Sequence, residues 1–244
     1  MGVIMHFALI HGAWHGKWCW EHLEAELRAR HLDVTSFDLP GHGSDTTPRE
    51  EVNLAAYVDR VVHWVRELDR PVELVGHSMG GAIITQVAEQ IPTNLSGLTY
   101  LCAFLPRNGE SLSQLAQEDR ASGLHGNLGA GPEPDTLVVP ADAAREIFYH
   151  DCRDDDADAA IARLVPQPMA PLAEAVVTTD AGFGSVPRSY VLCTQDRAIT
   201  AAMQRRMLER LPCSPVVELA LGHSPFLANP AALAEALERI AQTR

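Results

Sequence analysis

Gly76-His77-Ser78-Met79-Gly80 sets a serine between two glycines, with the apolar run Val72 to Val75 before it and a second apolar stretch from Gly81 to Ile91 after it. The first run reads as a buried strand and the second as a helix, so Ser78 falls on a tight turn between them. Gly-x-Ser-x-Gly in that setting is the pattern of a nucleophile elbow, in which a strained turn pushes a hydroxyl clear of a sheet edge. An ordinary glycine-rich turn is the alternative, and the rest of the chain has to decide. A serine hydroxyl is a poor nucleophile at neutral pH and needs a base to accept its proton. Histidine suits that task, and a carboxylate on its other ring nitrogen fixes the tautomer and stabilises the imidazolium. Gly222-His223-Ser224 and Thr194-Gln195-Asp196 supply those groups, with Asp180 as a reserve acid. The chemistry would be acyl transfer. Its tetrahedral intermediate needs two preorganised donors on one oxygen. The backbone N–H of Met79 and that of Ala13, in His11-Gly12-Ala13-Trp14, are the candidates.

These residues come together only if separate strands end at one edge. Met5 to Ile10 reads as a first strand, Trp18 to Arg30 as an amphipathic helix, Asp33 to Leu39 as a second strand, and Asn53 to Leu68 as a helix with Asn53 at its N-cap. Leu95 to Leu105 comes after the elbow as a further strand. Alternating strands and helices predict an α/β fold with a doubly wound, mainly parallel sheet. From Pro106 to Val186 the pattern breaks: Gly and Pro crowd 123–134, acids crowd 151–158, and Pro166, Pro168 and Pro171 punctuate the stretch beyond them. We read 106–186 as a helical lid inserted between a first core part, 1–105, and a second, 187–244. The acids read as a solvated helix face rather than a metal site. In the second core part Arg188 to Cys193 and Pro215 to Leu221 are strands, and Ala201 to Leu211 and Pro230 to Ala241 helices. Ser78, Asp196 and His223 each lie just past a predicted strand end, where ligands bind in open parallel sheets.

The chain has 244 residues and a formal charge of −13, which argues against nucleic acid or an anionic membrane surface as partner. No apolar run reaches the ~18 residues of a membrane span, and no leader pattern opens the sequence, so the default expectation is a cytoplasmic protein. Five cysteines without Cys-x-x-Cys pairing suggest buried free thiols rather than disulfides or a zinc knuckle.

The run His11-Gly-Ala-Trp-His-Gly-Lys-Trp-Cys-Trp20, with Asp38-Leu-Pro-Gly-His-Gly-Ser44 and Ala103-Phe-Leu-Pro106, resembles the branch of the α/β-hydrolases that holds plant methylesterases, hydroxynitrile lyases and bacterial esterases. The resemblance runs from end to end of the chain. It implies a cofactor-free and metal-free enzyme with Ser78, Asp196 and His223 as triad and Ala13 and Met79 as oxyanion donors. Hydroxynitrile lyases of this branch carry a threonine at the place of Gly12 and a lysine after the catalytic histidine, where this chain has Ser224. Both departures point to carboxylic ester hydrolysis instead. Epoxide hydrolases and haloalkane dehalogenases of similar fold use an aspartate at the elbow, which Ser78 replaces. The expected partner is a small, partly apolar ester, with Trp14, Phe104, Leu105 and Phe226 flanking the site and Phe148, Tyr149 and Phe183 closing over it from the lid. A homodimer is compatible with this reading. Carbon–carbon cleavage of the lyase kind, and a ligand-binding protein that kept the scaffold without turnover, are the competing readings.

Overall fold

Apolar runs of four to seven residues alternate with amphipathic stretches, and in the computed structural model they become strands and helices in turn. The structure describes residues 5–68 and 70–244. The strands are β1 (His6–Ile10), β2 (Asp33–Ser36), β3 (Val72–His77), β4 (Leu95–Leu101), β5 (Gly129–Ala130), β6 (Thr136–Val138), β7 (Gln167–Pro168), β8 (Arg188–Cys193) and β9 (Val216–Leu219). The helices are α1 (Glu21–Ala29), α2 (Leu54–Glu67), α3 (Gly80–Gln90), α4 (Leu112–Glu118), α5 (Ala141–Phe148), α6 (Asp154–Ile161), α7 (Ala170–Ala173), α8 (Ala201–Arg210), α9 (Pro225–Ala228) and α10 (Pro230–Ala241).

Six strands form one parallel sheet in the order β2-β1-β3-β4-β8-β9. β3 is buried along its whole length, as a central parallel strand covered on both faces must be, which is why it reads as a continuous apolar run. Helix α2 starts where Asn53 Oδ1 accepts from Ala56 N–H at 2.8 Å. Strand order reverses between β1 and β3. The loops that leave their carboxyl ends, 11–16 and 78–79, therefore lie side by side.

Three strands are shorter than the sequence suggests, among them β9, which spans Val216–Leu219 rather than Pro215 to Leu221. β2 stops at Ser36, and the Leu39 N–H goes to His11 Nε2 (3.1 Å) rather than into the sheet. β4 stops at Leu101 because Cys102 takes a left-handed backbone, φ 34°, and Phe104 N–H then donates to Ser78 O (3.1 Å). The insertion after β4 is helical only in part. Helices α4 to α7 are joined by a three-stranded antiparallel sheet, β5-β6-β7, whose hairpin is closed by Gly131 N–H on Thr136 O at 2.8 Å.

The amino side of the sheet is tied by a buried ion pair. Glu73 on β3 is fully buried, and Arg244 Nε and Nη2 donate to its two carboxylate oxygens at 3.0 and 2.9 Å. Thr99 Oγ1 on β4 donates to the same carboxylate (2.8 Å), and Arg244 Nη2 also reaches Ser189 Oγ on β8 (2.8 Å). Removing one member leaves a buried charge unpaired, so Arg244→Ala should lower the free energy of unfolding by about 3–5 kcal/mol. A urea titration of the two proteins checks this, with turnover of the folded variant at 25 °C little changed.

Candidate active site

Ser78 has φ 53°, a left-handed backbone that costs a non-glycine residue about 1–3 kcal/mol. It is held there from both sides. Its N–H donates to Leu101 O (3.3 Å), and its C=O accepts from Gly81 and Phe104 N–H, each at 3.1 Å. The turn is so tight that a Cβ on Gly76 would stand 2.6 Å from Gly80 O. Gly12 faces the same crowding from β1, where a Cβ would lie 2.9 Å from both Ser78 Cβ and His77 Nδ1. No side chain, threonine included, fits at position 12 without moving the elbow.

His223 follows β9 and is buried, with Nδ1 2.8 Å from Asp196 Oδ2. Asp196 is itself buried and fully engaged. Its Oδ1 accepts from Ala198 and Ile199 N–H at 2.7 and 2.9 Å, and Oδ2 also accepts from Gln204 Nε2 at 3.2 Å. A carboxylate held by that many donors fixes the orientation and tautomer of the imidazole. Asp180 is exposed and contacts neither group. The ring of His77 lies 4.6 Å from that of His223, but burial, then the charge His223 can carry, holds His77 well below the ordinary histidine range. His77 therefore stays neutral. Among the described residues no hydrogen bond joins Ser78 Oγ to His223, although both line one cavity; such links commonly tighten only around bound substrate.

The N–H groups of Ala13 and Met79 donate to no backbone acceptor among the described residues, which leaves them available to an oxyanion beside Ser78. Met79 sits at the N-terminus of α3, where the helix dipole adds favourable potential. The peptide that carries the Ala13 N–H is fixed through its other end: His11 Nδ1 donates to Gly12 O (2.9 Å) while His11 Nε2 accepts from Leu39 N–H. His15 and His42 act in the same way, with Nδ1 on Ala13 O (2.7 Å) and on His15 O (2.9 Å). Each then has a lone pair on Nε2, which accepts from Tyr149 OH and Tyr57 OH respectively, both at 2.8 Å.

Above Ser78 lies a cavity of about 250 Å³. Trp14, Phe104 and Phe148 line it, with Leu112, Leu124, Leu137 and Leu172 from the insertion and Ile199 from the loop after β8. Phe148 also lies 5.5 Å, ring to ring, from His223. Four residues expected here, Leu105, Tyr149, Phe183 and Phe226, are elsewhere. Leu105 is buried with its N–H on Met207 Sδ, Phe226 packs behind the site between Trp20 and His77, and Tyr149 points to His15. Phe183 lies under the Arg188 guanidinium, 4.6 Å from ring centre to Cζ. The acids of 151–158 divide. Asp154, Asp155 and Asp156 occupy the first turn of α6, whereas Asp151 turns inward and accepts from Gly222 N–H (2.6 Å), beside His223. Gln204, Asp151, Tyr57 and Gln167 are the supporting residues that sequence reasoning misses. Only Gln204 carries a signal, as a glutamine on the core-facing side of an amphipathic helix.

Burial is the main cause that pushes His11 and His15 down to about 3 and His42 to about 4. These values lie below the ~6.5 of an unfolded histidine, so the unfolded chain takes up protons that the folded chain refuses. Stability is complete above about pH 6.5 and drains as pH falls toward 4, with a slope for three such groups approaching about 4 kcal/mol per pH unit. Urea midpoints at pH 7.5, 6 and 5 should fall in that order; equal midpoints would contradict the buried, neutral state of these rings.

The alpha/beta hydrolase family model matches residues 7–236. Salicylic acid-binding protein 2 of Nicotiana tabacum is 31% identical over 252 residues, which cover 97% of this chain and 96% of that one. Putative methylesterases 11 and 13 of Arabidopsis thaliana, both chloroplastic, are 29% and 27% identical over 97% of this chain, which spans only 64% and 56% of their own length. A pyrethroid hydrolase from Sphingobium faniae JZ-2 superposes with a TM-score of 0.87 at 25% identity, over 98% of each chain. The family match over nearly the whole chain, the parallel sheet and the elbow at Ser78 agree: this chain belongs to the alpha/beta hydrolase family.

Proposed function

We propose that the chain is a carboxylic ester hydrolase acting through an acyl-enzyme on Ser78. One observation carries the reading: Ser78, on a left-handed elbow, shares a secluded cavity with His223, whose other ring nitrogen lies 2.8 Å from buried Asp196. Ser78 Oγ adds to the ester carbonyl while His223 Nε2 takes its proton. The oxyanion rests on the Ala13 and Met79 N–H groups, and His223 returns the proton to the departing alcohol. Water, deprotonated by the same ring, releases the acid. Methylesterases and a pyrethroid hydrolase among the relatives support ester chemistry. The five free thiols fit a reducing compartment such as the cytoplasm.

The cavity also speaks to substrate. It is small for a ligand pocket, mostly apolar, and among the described residues no Lys or Arg lines it. Its one carboxylate, Asp119, is committed to Thr200 N–H and Oγ1 at 2.8 and 2.7 Å. We infer neutral, apolar acyl groups of short-chain or single-ring size. No ammonium is present among the described lining residues to hold departing cyanide, which disfavours lyase chemistry. Ser78→Ala should keep its fold and lose nearly all turnover of 4-nitrophenyl butyrate; unchanged turnover would sink the proposal. Across a panel of esters, the half-ester of a dicarboxylic acid should be cleaved with kcat/KM lower than its neutral counterpart by on the order of 10²-fold, since the free carboxylate would be desolvated without a partner.

A further inference from the structure

The insertion that roofs the cavity also grips the oxyanion loop. Trp14, the residue after Ala13, has φ 62°, a strained left-handed backbone for a bulky residue. The insertion holds it at three points. Its C=O accepts from Val165 N–H (2.9 Å), its indole Nε1 donates to Leu137 O (2.9 Å), and its N–H donates to Gln167 Oε1 (3.4 Å). Gln167 is fully buried on β7 and does not line the cavity. Its amide Nε2 donates to the Tyr57 hydroxyl oxygen (3.2 Å), Tyr57 OH donates to His42 Nε2, and His42 Nδ1 donates to His15 O, which returns the chain of bonds to the oxyanion loop. A second prop is Tyr149, also buried and outside the cavity, whose OH donates to His15 Nε2 while His15 Nδ1 holds Ala13 O. The direction of each bond in these two paths is fixed, because backbone carbonyls only accept and the two rings are neutral.

We propose that Gln167 and Tyr149 are positioning residues for the oxyanion donor at Ala13, acting through Trp14 and His15, so that the insertion governs rate as well as cavity shape. The inference rests on the reading of Ala13 N–H as an oxyanion donor. Rotation of the peptides flanking Ala13 would turn its N–H away from the carbonyl oxygen, whose negative charge develops only in the tetrahedral state. Loss of either prop therefore lowers kcat and leaves ground-state binding alone.

Gln167→Leu and Tyr149→Phe, each checked for folding by circular dichroism and thermal melt, are to be assayed on 4-nitrophenyl butyrate. They should also be titrated with an alkyl trifluoromethyl ketone, which accepts Ser78 Oγ to form a tetrahedral oxyanion, and with the matching methyl ketone, which binds without it. Each variant should lose about 10- to 100-fold in kcat with KM within about threefold. Trifluoromethyl ketone affinity should fall in parallel, and methyl ketone affinity should hold. A kcat and an adduct affinity within about twofold of the parent in a folded variant would overturn the proposal, as would a rise in KM at constant kcat, which marks a pocket role. Should Gln167→Leu fail to fold, Tyr149→Phe decides alone. Failure of the esterase reading shows itself differently, as a parent protein that forms no trifluoromethyl ketone adduct or a Ser78→Ala variant that keeps its activity.

Discussion

Ser78 can hold a left-handed backbone only because three pieces of chain close on it at once. β4 ends at the residue that accepts the Ser78 N–H, and the turn at Cys102 brings the Phe104 N–H back to the Ser78 carbonyl. Gly76 and Gly12 let β3, α3 and the loop after β1 approach to distances that a side chain would forbid. Strain of this kind persists where the surroundings over-determine it. The elbow is thus a product of the whole sheet, and the ion pair of Glu73 and Arg244 at the sheet's amino side helps to hold three of the strands that supply it.

Around that elbow the protein has gathered five buried histidines and given them two kinds of work. His223 faces a carboxylate and the cavity. His11, His15 and His42 face carbonyls and hydroxyls, and His77 holds the His223 carbonyl through Nε2 at 2.8 Å. Desolvation keeps these four rings neutral, so each can satisfy a buried backbone carbonyl without bringing a charge near the site, and His11, His15 and His42 also accept a bond on Nε2. Lysine or arginine in their places would supply donors, but also an unpaired charge.

Much of this is legible in the chain itself. The parallel sheet shows in its apolar runs, and the elbow in its glycines, because both depend on residues close together in sequence. Placing Asp196 and His223 at the same edge as Ser78 needs only the rule that ligands sit past strand ends. The three-stranded sheet of the insertion escapes notice because strands of two and three residues carry no periodicity. Whether an aromatic or aliphatic residue reaches the cavity depends on local twist: Phe104 does, while Leu105, next along the chain, turns into the core. The props are harder still. Gln167 meets Tyr57 across 110 residues of chain, and nothing local distinguishes it from a solvated glutamine.

Among the described residues neither Lys nor Arg lines the cavity, and this bears on how the proposed reaction would end. Hydrolysis of a neutral ester leaves a carboxylate in an apolar space whose fixed charges are of its own sign, Asp119 in the wall and Asp196 behind His223. An anion so placed has lost most of its water, and the partners left to it are the Ala13 and Met79 N–H groups and the histidine rings of the lining. On the proposed reading the ester enters as a guest of the apolar walls, whereas the acid formed from it has no Lys or Arg there to replace the water it gave up.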